Sequence, residues 1–368
     1  MQEAGLRALE KWTGDAMGTE LEGWLLRVAH NAVVDSLRRE KKSVALVDEH
    51  LGAVEPPAPE LDDELRLVFL CCHPELPRAS QIALTLRVAF GFTTAQIARA
   101  FLSDERTIAQ RIVRTKQRLR DAGTSFELPE PAEVPGRLRA ILDVLYQLFT
   151  EGYSTTDSEV GIDDTLCEES LRLVRLLTDD DRWTSPDTEA LHALFCFHVA
   201  RAPARRTEDG GLVLLHEQDR SRWDETRLAE GFIFLGRSAR GQELSRFHVE
   251  AGIAACHAKA PSYAATDWEQ IVSLYDVLRE MSPSPIVDVN RALAIAMLRG
   301  ATAGLDELDA VPERELIARY PYALSTYAEL HASLGHIEEA RTFLDRALSL
   351  QTSPVERALL RRKRASLG

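Results

Sequence analysis

Several groupings of side chains in this 368-residue chain have the types and spacing for chemistry. Cys71, Cys72 and His73 are consecutive, His192, Cys196 and His198 lie close together, and Cys256 adjoins His257. Thiolate and imidazole in such company are the ligands of structural zinc. His192 and Cys196, at i and i+4, can share one helix face, but His198 would point elsewhere and no closed set of four ligands is visible. The expectation is therefore no metal and no cofactor, with the cysteines as small packing residues in apolar runs such as LVFLCC and ALFCF. Asp219, Arg220, Arg222, Trp223, Asp224 and Glu225 crowd charge around one aromatic ring. They are candidates for a ligand or docking pocket, set against the plainer reading of a salt-bridged loop closing on a helical repeat. Walker A, GxGxxG after a strand, GxSxG and HExxH patterns are absent, so the chain is not expected to be an enzyme.

A different chemistry is written in residues 106–120. Arg106, Arg111, Arg114, Lys116, Arg118 and Arg120 occur there with no acidic residue among them. Ile108, Ile112, Thr115 and Leu119 form an apolar stripe at helical spacing, which leaves Arg106, Thr107, Gln110, Arg111, Arg114, Gln117 and Arg118 outside it. Arginine and glutamine near the start of a helix can make paired hydrogen bonds to guanine and adenine edges in a major groove, and bases further along can neutralise phosphates. The alternative is a solvated basic face on a helical bundle.

The elements that must position these groups are helical. Candidate helices cover Glu22–Arg39, Asp62–Cys72, Pro77–Phe90, Thr94–Phe101 and Asp104–Asp121. Thr93 and Thr94 serve as N-caps, and Leu102, Ser103 and Asp104 make the tight turn of a helix-turn-helix. Residues 43–60 lose periodicity and collect Pro56, Pro57 and Pro59 with acidic residues, the pattern of an extended linker, and 124–135 reads as a second. Residues 136–368 are helical almost throughout. Gly300 and Gly335 lie 35 apart, and the final unit, YAELHASLGHIEEARTFLDRALSLQTSP, has the small residues and turn of a tetratricopeptide-like helical hairpin. The expected class is all-α.

Charge follows the same division. Residues 1–123 hold 17 Lys and Arg against 18 Asp and Glu, whereas residues 124–368 hold 27 against 40. Such an acidic back portion is repelled by polyanions, so any nucleic acid must meet the front. There is no run of eighteen apolar residues and no apolar segment following the charged start, so neither a bilayer span nor a secretory signal is expected, and the cytoplasm is the default compartment. Five cysteines, an odd number, suit a reducing compartment.

The succession of GWLLRVAHNAVVDSLRREKK, an acidic Pro-rich linker and LTLRVAFGFTTAQIARAFLSDERTIAQRIVRTKQRLRDAG resembles regions 2 and 4 of bacterial extracytoplasmic-function sigma factors. DDELRLVFLCCHP, LYQLFTEGYS, EQDRSRWD, IAACHAKA and TDWEQIVSLYD extend the resemblance to the subgroup carrying a tetratricopeptide-like C-terminal extension. It implies a partial region 2 over residues 1–42, the linker over 43–60, region 4 over 61–123, a second linker over 124–135 and a repeat domain over 136–368. It further implies bacterial core RNA polymerase and promoter DNA as partners.

By the same resemblance, region 4 reads the minus-thirty-five element through positions that fall on Arg106, Thr107, Ala109, Gln110, Arg111, Val113 and Arg114; Arg118, outside the apolar stripe, is a further candidate for DNA contact. Gln110 and Arg114 are the foremost base readers. Region 2 engages the minus-ten element through a loop at Asp15–Glu22 and through Trp24, Arg27, Asn31, Arg38 and Arg39, consistent with stacking and a basic track on a single strand. Trp24 has the alternative of a core anchor. Such factors begin with further helices before the segment seen here as Gln2–Leu9, so the chain is expected to start inside region 2 and residues 1–42 to be marginally ordered. The acidic repeats are expected to regulate the sigma regions in cis, their acid pairing with the basic recognition helix, or to take a protein or small-ligand partner. The rival reading is a helix-turn-helix regulator with a repeat sensor domain that is not a polymerase subunit.

Overall fold

The computed structural model describes residues 63–73, 75–100, 103–121, 134–153, 164–208, 210–312, 314–351 and 353–368. The readings placed on Trp24, Arg27, Asn31, Arg38, Arg39 and the first linker lie outside the described residues. Among the described residues there are sixteen α-helices, three short 3-10 turns and no strand, beyond one isolated bridge between Arg206 and Leu212. The chain is all-α, as its periodicity requires.

The first four helices are α1 (Asp63–Cys71), α2 (Arg78–Val88), α3 (Thr94–Ala100) and α4 (Glu105–Asp121). They close on a small core of Leu84, Leu86, Phe92, Ile97, Ile108 and Ile112. Gly91, at φ 68°, makes the turn from α2 into α3, a backbone conformation that favours glycine. The carbonyl of Phe92 just beyond it accepts from Arg87 Nη1 at 2.8 Å.

Three longer helices follow, α5 (Val134–Tyr153), α6 (Asp164–Thr178) and α7 (Pro186–Val199). In α7 every residue from Leu191 to Phe197 is buried, so this helix is apolar all round and serves as the central post of the chain. Ser185 caps it by accepting from the Thr188 amide at 3.1 Å, and Pro186 takes the first position, where its missing N–H costs nothing. Phe195 stacks on Phe149 of α5 with ring centroids 4.1 Å apart.

The helix-turn-helix and the rest of the chain share this packing. Val68, Phe69 and Cys72 of α1 belong to the same core as Ile141 and Leu145 of α5 and Phe195 of α7. Leu148 of α5 in turn completes the small core around Ile97 and Ile108. Phe69 meets Trp183 at 4.5 Å, and Asp143 of α5 is held between Arg78 of α2 and Arg246, the latter at 2.8 Å. The described residues accordingly belong to one compact unit.

Beyond α7 come α8 (Glu225–Ser238), α9 (Arg246–Lys259), α10 (Trp268–Met281), α11 (Pro285–Arg299), α12 (Ala301–Asp309), α13 (Arg314–Ile317), α14 (Pro321–Ser333), α15 (Ile337–Leu350) and α16 (Pro354–Ala365). Consecutive helices pack as hairpins, α9 with α10, α10 with α11, α11 with α12, α14 with α15, and α15 with α16. Gly300 and Gly335, with φ of 96° and 79°, stand at the turns into α12 and α15. Close approach in these hairpins rests on small residues. A Cβ on Gly304 would lie 2.5 Å from Ala296 Cβ and 3.0 Å from the Ala292 carbonyl. Gly304→Ala is therefore expected to destabilise the protein by about 1–3 kcal/mol through overpacking, despite the better helix propensity of alanine, as a lowered midpoint in urea.

Candidate nucleic-acid interface

Two caps fix the helix-turn-helix. At the start of α3, Thr93 Oγ1 accepts from the Gln96 amide at 3.2 Å while Gln96 Oε1 accepts from the Thr93 amide at 2.8 Å, a reciprocal box that satisfies two otherwise orphaned donors. At the start of α4, Asp104 Oδ1 accepts from the Thr107 amide and Oδ2 from the Thr107 hydroxyl, each at 2.8 Å. These two donations hold the Asp104 carboxyl below its usual range. Between the caps, Ile97 and Ala98 of α3 and Ile108, Ile112 and Thr115 of α4 are buried, so the second helix has only one way to roll.

That roll leaves Arg106, Thr107, Gln110, Arg114 and Arg118 exposed and Arg111 half-buried. Arg106, Gln110, Arg114 and Arg118 stand at successive i, i+4 positions, a row about 18 Å long at 1.5 Å per residue. Val113 is 61% exposed beside them, an apolar group of the kind that meets a thymine methyl. Among the described residues no carboxylate pairs with Arg106, Arg114 or Arg118. The helix-turn-helix meets the C-terminal helices through α1 and α2 packed on α5, on the side away from the row.

Residues 66–119, spanning α1 to the end of α4, match the sigma-70 region 4 family, and residues 137–239 match a family of unknown function. An uncharacterized protein of Rhizobium meliloti (strain 1021) is 37% identical over 371 residues, covering 98% of this chain and 87% of its own length. The chain belongs to that protein's family. It carries a sigma-70 region 4, and with it the character of a sigma-like, DNA-binding transcription factor. No solved structure matches. The exposed row of α4 lies within the region 4 match, and no helix among the described residues is long and apolar enough to cross a membrane.

The other sequence candidates resolve differently. Asp219 and Asp224 do not pair with their neighbouring arginines. Asp219 caps a short 3-10 turn by accepting from the Ser221 amide at 3.0 Å, and Asp224 caps α8 by accepting from the Arg227 amide at 3.0 Å. Trp223 is buried, with the guanidinium of Arg220 at 4.6 Å and that of Arg201 at 5.6 Å from its ring, while Arg222 is exposed. Arg220 donates through Nη1 to the carbonyls of His257 and Ala260 at the end of α9.

His192 and Cys196 do share a face of α7, and the structure adds a partner no local spacing could indicate, Glu230 of α8; one ligand atom of each lies within 4.8 Å of the others. His198 instead turns toward the rings of Phe149 and Tyr153. The trio's charges are met within the protein: Glu230 is bound by Arg175, lies 3.7 Å from Arg227, and is 3.0 Å from His192 Nε2. Burial pushes the His192 ring down to about 4 against the opposing pull of Glu230, and burial drives the Cys196 thiol up. A neutral imidazole and a protonated thiol beside two guanidiniums form a packed polar contact.

Proposed function

We propose that the chain is an RNA polymerase sigma factor of the extracytoplasmic-function type, directing core polymerase to promoters by reading the minus-thirty-five element with α4. The observation that carries this reading is the uncompensated, solvent-facing row Arg106, Gln110, Arg114 and Arg118 within the segment matching sigma-70 region 4. Gln110 and Arg114 are the base readers, Val113 the apolar contact, and Arg106, Arg111 and Arg118 the phosphate contacts, which position without specifying. The minus-ten element would fall to Trp24, Arg27, Asn31, Arg38 and Arg39.

The C-terminal hairpins act in cis on this reading, as a tetratricopeptide-like mount. Packing of α5 against α1 and α2 supports that role, since it sets the orientation of α4 while leaving its outer row open. The open row favours a supporting part over a mask on the DNA-reading face.

The reading is tested by mixing the purified full chain with bacterial core RNA polymerase and resolving the mixture by gel filtration. Co-elution at a defined stoichiometry, competed by another sigma factor, is the expected outcome. Sequence-specific DNA binding without co-elution would replace it with the second reading, a helix-turn-helix regulator that is not a polymerase subunit.

A further inference from the structure

Many arginines of the C-terminal helices end on carboxylates: Arg175 on Glu230, Arg246 on Asp143, Arg291 on Asp276 and Glu307. Arg201, Arg205 and Arg220 are partly buried, and among the described residues none of them has a carboxylate partner. They are also neighbours. Arg201 and Arg220 both lie against Trp223, and Arg205 lies 3.5 Å over the ring of Tyr153. Burial, followed by the fields of Arg201 and Arg205, pushes His198 down to about 3; burial, then Arg201 and Arg220, pushes His257 down to about 4. Three guanidiniums thus stand together in an otherwise acidic domain, and the two histidines among them are neutral. Arg220 Nη2, Trp223 Nε1, His198 Nδ1 and His257 Nδ1 are buried with no hydrogen-bond partner among the described residues. Buried charge of one sign and buried donors left unused are both costly unless something meets them.

A cavity of about 380 Å³ opens beside Arg220, the one member of this cluster that lines it. That volume lies in the range of small-molecule sites. Arg220 and Gln218 form part of its wall, His216, Ser262 and Tyr263 face them, and Arg201 stands one hydrogen bond behind, donating from Nε to Gln218 Oε1 at 3.2 Å. His216 and Tyr263 present rings 5.6 Å apart, continued by Trp268 at 5.1 Å from Tyr263. Among the described residues Asp219 is the one carboxylate on the lining, and its Oδ1 is taken by the amide and hydroxyl of Ser221.

We propose that this cavity is a binding site for a small phosphomonoester, its phosphoryl group held by Arg220 in the field of Arg201 behind it, and its body lying against His216 and Tyr263. A guanidinium suits a phosphoryl group because it presents a planar fork of donors to its oxygens, and a second positive charge behind it favours the doubly charged form. The rings supply the apolar wall that a bare phosphate would leave unused.

The full chain should be titrated with inorganic phosphate and with phenyl phosphate, against chloride at matched ionic strength, following tryptophan fluorescence and the melting temperature. Saturable binding of both probes is expected, tighter for phenyl phosphate, with a raised melting temperature. Arg220→Gln should weaken binding about tenfold or more, the scale of a lost charge-assisted hydrogen bond. Because Arg220 also holds the end of α9, Arg201→Gln is the second variant, giving up its bond to Gln218 and its place against the Trp223 ring but no hold on α9; it should weaken binding while lowering the ligand-free melting temperature less than Arg220→Gln does. No saturable response to either probe would overturn the proposal. So would binding that survives Arg201→Gln and Arg220→Gln but is lost in Arg114→Gln, which would place the anion on the recognition helix.

Discussion

Replacing Gln110 and Arg114 together with alanine should lower sequence-specific DNA binding by about 10²-fold or more while leaving the fold intact. Each bidentate base contact is worth about 1–3 kcal/mol of discrimination, and the two positions lie one turn apart on the same exposed face, where truncation removes no core atom. The loss should be greatest on the preferred sequence and small on random DNA. Arg118→Ala, by contrast, should weaken binding to all sequences alike and reduce the dependence on salt. Equilibrium binding to selected and scrambled duplexes at two salt concentrations separates these outcomes. A double variant that lost affinity equally for both duplexes would show that the row only neutralises phosphate.

The second large effect concerns the joint between region 4 and the C-terminal helices. Phe69 of α1 is fully enclosed and packs on Trp183, so Phe69→Ala should cost about 3–5 kcal/mol, the range for an emptied aromatic site. The loss should appear in one cooperative transition, seen alike by far-ultraviolet circular dichroism and by tryptophan fluorescence, because α1 contributes to the core around α5 and α7. Two separated transitions, with the C-terminal helices unaffected, would mean that region 4 is an independent domain hinged to the rest.

Local features of this architecture were legible in sequence because their causes are local. The helices expected at Pro77–Phe90, Thr94–Phe101 and Asp104–Asp121 stand at Arg78–Val88, Thr94–Ala100 and Glu105–Asp121. The stripe Ile108, Ile112 and Thr115 is buried, and the turns at Gly300 and Gly335 carry the positive φ that makes glycine useful there. What stayed hidden depends on helix against helix. Glu230 meets His192 across 38 residues, and Asp143 joins Arg78 and Arg246 from different helices; neither is a spacing that a single wheel displays. The charges around Trp223 read in sequence as a salt-bridged loop or a ligand pocket; Asp219 and Asp224 cap the turns that follow them, while Arg220 lies on the Trp223 ring and on carbonyls at the end of α9, a choice made only when α9 arrives beside it. The place of Leu148 of α5 in the small core around Ile97 and Ile108 has the same origin.

The most direct test is reconstituted transcription. Bacterial core RNA polymerase with the full chain, given DNA fragments selected for binding to it, should yield transcripts with discrete start sites, and these should vanish with Gln110→Ala and Arg114→Ala combined. Start sites no more discrete than those of core polymerase alone, on fragments the protein demonstrably binds, would contradict its assignment as a sigma factor.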